Sequence, residues 1–257
     1  MRSVAGAGVV VTGGGSGIGA ALARRFAAEG ARVVVNDLNA EAAGEVARSC
    51  GATTAPGNAA SVDGVASLLA TARGVLGEID MYCANAGVAV GDGEGDEDDW
   101  EASWQVNVMA HVRAARLLLP EWLERGSGHL ICTVSAAGLL TMLGAAPYSA
   151  TKHAALSFAE WLAATYAHRG LTVQALCPMG VRTAMLDAVT PAAELILAET
   201  AITPEEVADA VIAGIADGSF LILPHPDVAR MYAHRATDPD RWLRGMNKLQ
   251  TRTETAV

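Results

Sequence analysis

No uninterrupted apolar run in the chain is long enough to span a bilayer, although apolar residues make up 51% of it. A secretory leader pattern is missing too. One early arginine is followed directly by a strand-like segment, which leads to the expectation of a soluble, cytosolic protein. Metal-type cysteine pairs are lacking. The four cysteines, Cys50, Cys83, Cys132 and Cys177, are scattered, and three of them end apolar runs, so buried reduced thiols are expected and no metal site. An excess of basic charge is lacking as well, and the net charge of −10 argues against general nucleic-acid binding. Linkers, composition shifts and internal repeats are not found. The 257 residues are therefore read as one domain, long enough for a sizeable core.

What is present is an alternation of short β-branched runs with alanine-rich helical stretches. Strand-like segments fall at 9–12, 33–35, 79–83, 130–134, 171–176 and 220–223, and helical ones at 18–29, 40–49, 97–125 and 148–168. Continuous apolar strands between helices predict an α/β domain. Its sheet would be parallel, doubly wound and about seven-stranded, with helices on both faces. Two segments break the alternation. Residues 91–99 read GDGEGDEDD; they lack the calcium-loop spacing and are expected to form a solvated loop capping the next helix. Residues 184–203 are apolar and precede a helix that starts near Thr203. In open α/β sheets such an insertion lies over the carboxyl edge, where ligands bind. It is expected to be a substrate lid, with a plain helical hairpin as the alternative.

The segment Thr12-Gly-Gly-Gly-Ser-Gly-Ile-Gly19 lies between the first strand and the first helix. Glycines let the backbone approach a pyrophosphate, and the helix N-terminus offers free N–H groups at a positive dipole end. Gly13, Ser16, Gly17, Ile18 and Gly19 are therefore candidate dinucleotide contacts. Asp37 ends the second strand, eighteen residues after Gly19. A carboxylate there can take both hydroxyls of an adenosine ribose and would repel a 2′-phosphate. Leu38 follows it, and Ser16 stands in the loop, where a basic residue would suit the phosphate. All three favour NAD over NADP. Arg24, Arg25 and Arg32 read as helix surface and the start of the second strand.

Tyr148 and Lys152 stand four residues apart, and Ser135 lies thirteen residues upstream of the tyrosine. On a helix, positions i and i+4 share a face. A phenol titrates near 10, so proton transfer near neutrality requires a drop of about 2–3 units, or about 3–4 kcal/mol. An adjacent ammonium in a partly desolvated site can supply much of it. Taken alone, the pair is equally an ordinary helix with an exposed lysine and a packed tyrosine.

Together these motifs resemble the short-chain dehydrogenase/reductase family over nearly the whole chain up to about residue 223. Thr12 to Gly19 matches its TGxxxGxG loop. Ala84-Asn85-Ala86-Gly87 resembles its NNAG segment. Asn107 sits where the family has its helix-four asparagine. Ser135, Tyr148 and Lys152 match its serine and YxxxK, and Pro178-Met-Gly-Val-Arg-Thr183 resembles PGxVxT. The resemblance implies a Rossmann-like fold and a set of roles. Tyr148 would be the general acid/base, and Lys152 would lower its pKa and bind the nicotinamide ribose. Ser135 would hold the substrate oxygen. Asn107 would hold, through its backbone, a water linking Lys152 to solvent. Val181 and Thr183 would contact the carboxamide and the phosphates, with Pro178 also at the cofactor, and Asn85, Ala86 and Gly87 would line the adenosine ribose and nearby backbone. Two positions depart from the pattern. Met179 replaces a glycine, with Gly180 able to supply the freedom. Asn58-Ala59 replaces Asp-Val, and Asn58 can still face the adenine amino group through its carbonyl oxygen.

The expected activity is NAD-dependent, reversible hydride transfer between nicotinamide and a secondary alcohol or ketone. An apolar substrate such as a steroid, terpenoid or lipid is expected. Met142, Leu143 and Met185, with Leu186, Leu195, Ile196 and Leu197, are candidate walls of its pocket. Two alternatives stand beside it: an NADPH-dependent ketoreductase of secondary metabolism, and a non-catalytic NAD(H)-sensing binding protein. His111, His129, His153 and His168 read as packed or surface residues. For the 224–257 tail, with His225, His234 and Trp242, subunit contact or surface packing is favoured over a lid. The resemblance implies a homotetramer or homodimer built through 97–125 and 148–168.

Overall fold

The computed structural model describes residues 3–187, 197 and 199–255. Five stretches dominated by β-branched and apolar residues become largely buried strands: β1 (Gly8–Thr12), β2 (Arg32–Asn36), β4 (Met81–Ala84), β5 (Gly128–Thr133) and β6 (Leu171–Leu176). Two-residue strands, β3 (Thr53–Thr54) and β7 (Leu221–Ile222), close the two edges. The sheet has seven parallel strands in the order β3-β2-β1-β4-β5-β6-β7. The order reverses between β1 and β4, so the ends of these two strands open a crevice at the carboxyl edge.

Side chains alternate across the sheet, and both faces are dry. Val10, Val34, Tyr82, Leu130 and Val173 meet α3 (Val62–Leu76), α5 (Ala110–Arg125) and α7 (Ala146–Tyr166). Val9, Val11, Val35, Met81 and Ile131 meet α1 (Gly17–Ala28), α2 (Ala40–Cys50) and α9 (Pro204–Asp217). This double coverage is what makes every inner strand read as a continuous apolar run. Cys83, Cys132 and Cys177 are buried and unpaired, and Cys50 is partly covered.

Helix starts follow local chemistry. The acidic 91–99 loop is a cap: Asp96 and Asp99 form a reciprocal capping box at the start of α4 (Glu97–Trp104). Thr203 and Glu206 do the same for α9. The stretch expected as one helix over 97–125 is in fact interrupted. A π-helical turn, Gln105–Met109, separates α4 from α5. Such turns mark functional sites more often than chance. The described parts of the apolar insertion are a short α8 (Ala184–Asp187), Leu197 and residues 199–203; Leu195 and Ile196 lie outside the described residues. The tail is two helices, α10 (Asp227–Thr237) and α11 (Pro239–Thr255). Among the described residues no helix is long and apolar enough to cross a membrane.

Candidate active site

The loop after β1 turns on Gly13 and Gly17, with φ of 62° and 50°. A side chain at Gly19 would place its Cβ 2.0 Å from the Gly13 carbonyl oxygen, so the helix start can approach the loop only with glycine there. Ser16 caps α1 in an extended conformation, and its hydroxyl makes no cap hydrogen bond. No acidic residue occupies the first turn. The first-turn amides and the positive end of the helix therefore face the crevice without a protein anion, which fits a pyrophosphate.

The loop is held from below by Thr12, Asn85 and Thr133, the last of which carries no motif in the sequence. The Thr12 hydroxyl accepts from the Asn85 and Ala86 N–H groups at 3.0 and 3.1 Å. Asn85 Nδ2 donates to the Thr12 and Gly13 carbonyls at 3.0 and 3.3 Å, and its Oδ1 accepts from Thr133 Oγ1 at 3.0 Å. Asn85 thus stitches β1, β4 and β5 together at the switch point, and with half-buried Ala86 and Gly87 it lines the crevice.

Asp37 Oδ2 accepts from the Gly15 N–H at 2.9 Å, and Oδ1 accepts from the Asn39 N–H at 2.9 Å. Among the described residues no arginine pairs with it. Arg24 donates to Ser49, Arg25 pairs with Glu29 and Asp209, and Arg32 donates to the Leu76 carbonyl. Leu38 beside it is 76% exposed. Asn58 Oδ1 accepts from the Ala60 N–H at 2.9 Å, so one of its two lone pairs closes a local turn and one remains.

Ser135 follows β5, and Tyr148 and Lys152 lie on the first two turns of α7. Ser135 Oγ accepts from the Ala137 N–H at 3.1 Å and lies near enough to the Tyr148 phenol to favour its ionisation. Lys152 Nζ lies 5.5 Å from the Tyr148 ring centroid and donates to the Thr133 carbonyl at 3.0 Å. A Cβ on Gly87 would meet that ammonium at 3.3 Å and Asn107 Oδ1 at 3.2 Å, so glycine opens the corner where all three converge. Asn107 sits in the π turn. Its Oδ1 accepts from the Val88 N–H at 2.9 Å, and its Nδ2 donates to the Val88 carbonyl and to Thr151 Oγ1 at 2.9 and 3.2 Å. The side chain is fully engaged in holding β4's exit loop against α7.

The electrostatics differ from the expectation. Burial pushes the Tyr148 phenol above its usual value of 10.0, and the nearby Ser135 hydroxyl pulls against it. Burial also brings Lys152 down from 10.5 to about 8. The ammonium alone does not bring the phenol toward neutrality, because the same dry surroundings disfavour both charged forms.

Every residue named above as a candidate contact, except Asn107 and those outside the described residues, lines one cavity of about 540 Å³. Asn107 lies behind its wall. Ser149 Oγ clamps both backbone groups of Met142, which follows Thr141, a β-branched residue at φ 75°. One correction and one refinement follow. Gly180 does not take a positive φ; its lack of a side chain matters because a Cβ would stand 2.5 Å from the Leu197 carbonyl. The tail is largely exposed, as surface packing requires, but one stripe of it reaches the site. Met231 of α10 and Trp242, Met246 and Leu249 of α11 line the same cavity. The 242/246/249 spacing on an otherwise polar helix was the available signal, and it is also how any docked helix looks. A second missed signal was scarcity: Lys152 is one of only two lysines.

The family model for short chain dehydrogenase matches residues 7–194. The chain is 37% identical over 231 residues to the 1-deoxy-11-beta-hydroxypentalenate dehydrogenase of Streptomyces exfoliatus, covering 85% of this chain and 82% of that one. It is 34% identical over 200 residues to human epidermal retinol dehydrogenase 2, covering 74% and 65%. A short chain dehydrogenase/reductase from Burkholderia phymatum in complex with NAD superposes with a TM-score of 0.84 at 28% identity, over 93% of this chain and 96% of that one. A 7α-hydroxysteroid dehydrogenase complexed with NADH and 7-oxo glycochenodeoxycholic acid gives 0.77 at 25%, over 86% and 93%. Motif order, sheet order and these likenesses agree: the chain belongs to the short-chain dehydrogenase family, and is an oxidoreductase of alcohol and carbonyl carbons.

Proposed function

We propose that this enzyme uses NAD to oxidise an uncharged, apolar secondary alcohol, reversibly, to the ketone. The observation that carries the reading is the convergence of Ser135, Tyr148 and Lys152 on the same cavity as the glycine loop and Asp37. Asp37, with no arginine paired to it among the described residues, supports NAD over NADP, as do the NAD and NADH bound by the two structural neighbours.

When bound, NAD supplies the hydride-accepting carbon and one further positive charge. The remaining work falls to side chains. Ser135 holds the substrate oxygen, and Tyr148 takes its proton. Lys152, at about 8, keeps enough positive charge near neutrality to stabilise the phenolate, and Asn107 fixes the wall behind it. The Thr133 carbonyl aims the ammonium.

The substrate end supports an uncharged molecule. Met142, Leu143, Met185, Met231 and Trp242 surround it, and the ionisable residues among the described lining are Asp37, Tyr148 and Lys152. No cation is left to pair a carboxylate. The names of the relatives, for a hydroxypentalenate, retinol and a hydroxysteroid, accord with a hydroxyl on a largely apolar carbon skeleton and do not bear on net charge. The 184–203 insertion would act as the lid, and exposed Trp104, Leu117 and Trp161 on α4, α5 and α7 would be covered in a homotetramer or homodimer.

A panel of secondary alcohols with NAD, followed by NADH absorbance, tests this. Turnover of neutral apolar alcohols is expected. Turnover confined to small charged hydroxy acids would sink the substrate reading, and tight calorimetric binding of NADP would sink the assignment of Asp37.

A further inference from the structure

His225 lies between β7 and α10, in Pro224-His225-Pro226, and is 6% exposed. Its Nδ1 accepts from the Met179 N–H at 3.1 Å. Its Nε2 meets the Thr200 carbonyl at 3.1 Å. A ring nitrogen that accepts carries no proton, so His225 is neutral with its hydrogen on Nε2, donating to Thr200. The flanking prolines restrict the backbone on either side, which gives the ring a stiff mount.

The two partners belong to different segments, of which Met179 lines the cavity and Thr200 does not. Met179 is in the turn after β6. There the Pro178 carbonyl accepts from the Ala136 N–H at 2.7 Å, next to Ser135. Thr200 is at the C-terminal root of the apolar insertion. That root is tied to the turn by a short bridge: Ile202 N–H donates to the Gly180 carbonyl at 3.1 Å, and Arg182 N–H donates to the Ile202 carbonyl at 2.9 Å. The ring therefore joins the nicotinamide-side turn, the insertion and the start of the tail helices.

We propose that His225 is a positioning residue that sets the nicotinamide-side turn through Nδ1 and the described root of the insertion, at Thr200, through Nε2. It touches neither reacting group. The proposal rests on the functional reading above for its kinetic consequences, and on geometry alone for its structural ones.

The test uses three full-length variants. H225N keeps an acceptor at the Nδ1 position, H225Q keeps a donor at the Nε2 position, and H225F keeps neither. Losing one buried hydrogen bond is expected to weaken the matching ligand about tenfold. H225Q should weaken calorimetric NAD affinity about tenfold and leave the KM of an apolar alcohol within about twofold. H225N should do the reverse, and H225F should show both losses, with kcat within about threefold because the proton-transfer groups are untouched. Without cofactor, Met179 amide exchange should quicken in H225Q and H225F and stay at the wild-type rate in H225N. Uniform losses in H225N and H225Q, or wild-type exchange at Met179 in H225F, would overturn the proposal. Absence of wild-type turnover would instead overturn the functional reading, with the exchange measurement still deciding the role of His225.

Discussion

Gly13, Gly17, Gly19 and Asp37 form one end of the cavity, the proposed cofactor end, from one β–α–β stretch, and backbone geometry shapes most of it. Met142, Met185, Met231 and Trp242 form the other end from four segments scattered along the chain, and side-chain bulk does the work there. A phosphate-binding turn needs glycine at fixed spacings, because a Cβ in the wrong place collides with the loop itself. An apolar wall needs only volume and shape, which many sequences supply. The first end therefore identifies a family, and the second distinguishes one member from another.

That contrast can be broken or sharpened by mutation. Gly19→Ala should have the largest effect. Its Cβ would stand 2.0 Å from the Gly13 oxygen and 2.6 Å from Asn85 Nδ2, so the loop must move. NAD affinity should fall by more than about 100-fold, equivalent to about 2.7 kcal/mol, in a protein whose far-ultraviolet circular dichroism is unchanged. Retained affinity would mean that the loop tolerates a side chain after all. Asp37→Ala removes the carboxylate and the partner of the Gly15 N–H. Calorimetry should show NAD weakened about 30-fold, roughly one charge-assisted hydrogen bond, and NADP weakened much less.

Trp242→Ala should act only at the other end. The KM of a bulky apolar alcohol should rise about tenfold, near the worth of one large apolar contact. NAD affinity and the KM of a small alcohol should hold. Equal losses for small and bulky alcohols would mean that the tail braces the fold rather than contacting substrate.

The two ends share a frame, and acid should expose it. His111 lies on α5 with neither ring nitrogen bonded, and burial, aided by the charge on Lys152, lowers it from 6.5 to about 3. Burial lowers His129 to about 4 against its hydrogen bond to Gln174. Both folded pKa values lie below the unfolded one, so only the unfolded chain takes up these protons. Their contribution is complete above about pH 6.5 and is lost on acidification, at about 1.4 kcal/mol per pH unit for each histidine. Denaturant titrations of His111→Leu between pH 6 and 4 should show a slope shallower by about that amount. An unchanged slope would place the acid sensitivity elsewhere.

Much of the fold was legible because a parallel sheet covered on both faces leaves runs such as Val9 to Thr12 that admit no other element. The glycine loop, Asp37, Ser135, Tyr148 and Lys152 were legible because each chemistry ties a residue type to a local spacing. The π turn at Gln105–Met109 was not, since a shifted hydrogen-bond register leaves no mark in composition. His225, Trp242 and the Thr133 carbonyl were not, since their roles exist only once distant segments meet. The direction of the Tyr148 shift was missed because neighbouring charge shows in sequence, whereas desolvation is a property of the packed site.

The central claim is that Tyr148 transfers the proton in an NAD-dependent alcohol oxidation. Wild type and Tyr148→Phe should be compared for NADH formation from a neutral apolar secondary alcohol, with NAD affinity measured alongside. The expected result is NADH formation by wild type, a loss of about 10²–10⁴-fold in kcat for Tyr148→Phe, and NAD affinities within about threefold of each other. Tight NADH binding by a wild type that turns over no alcohol, or a Tyr148→Phe enzyme that keeps its rate, would contradict it.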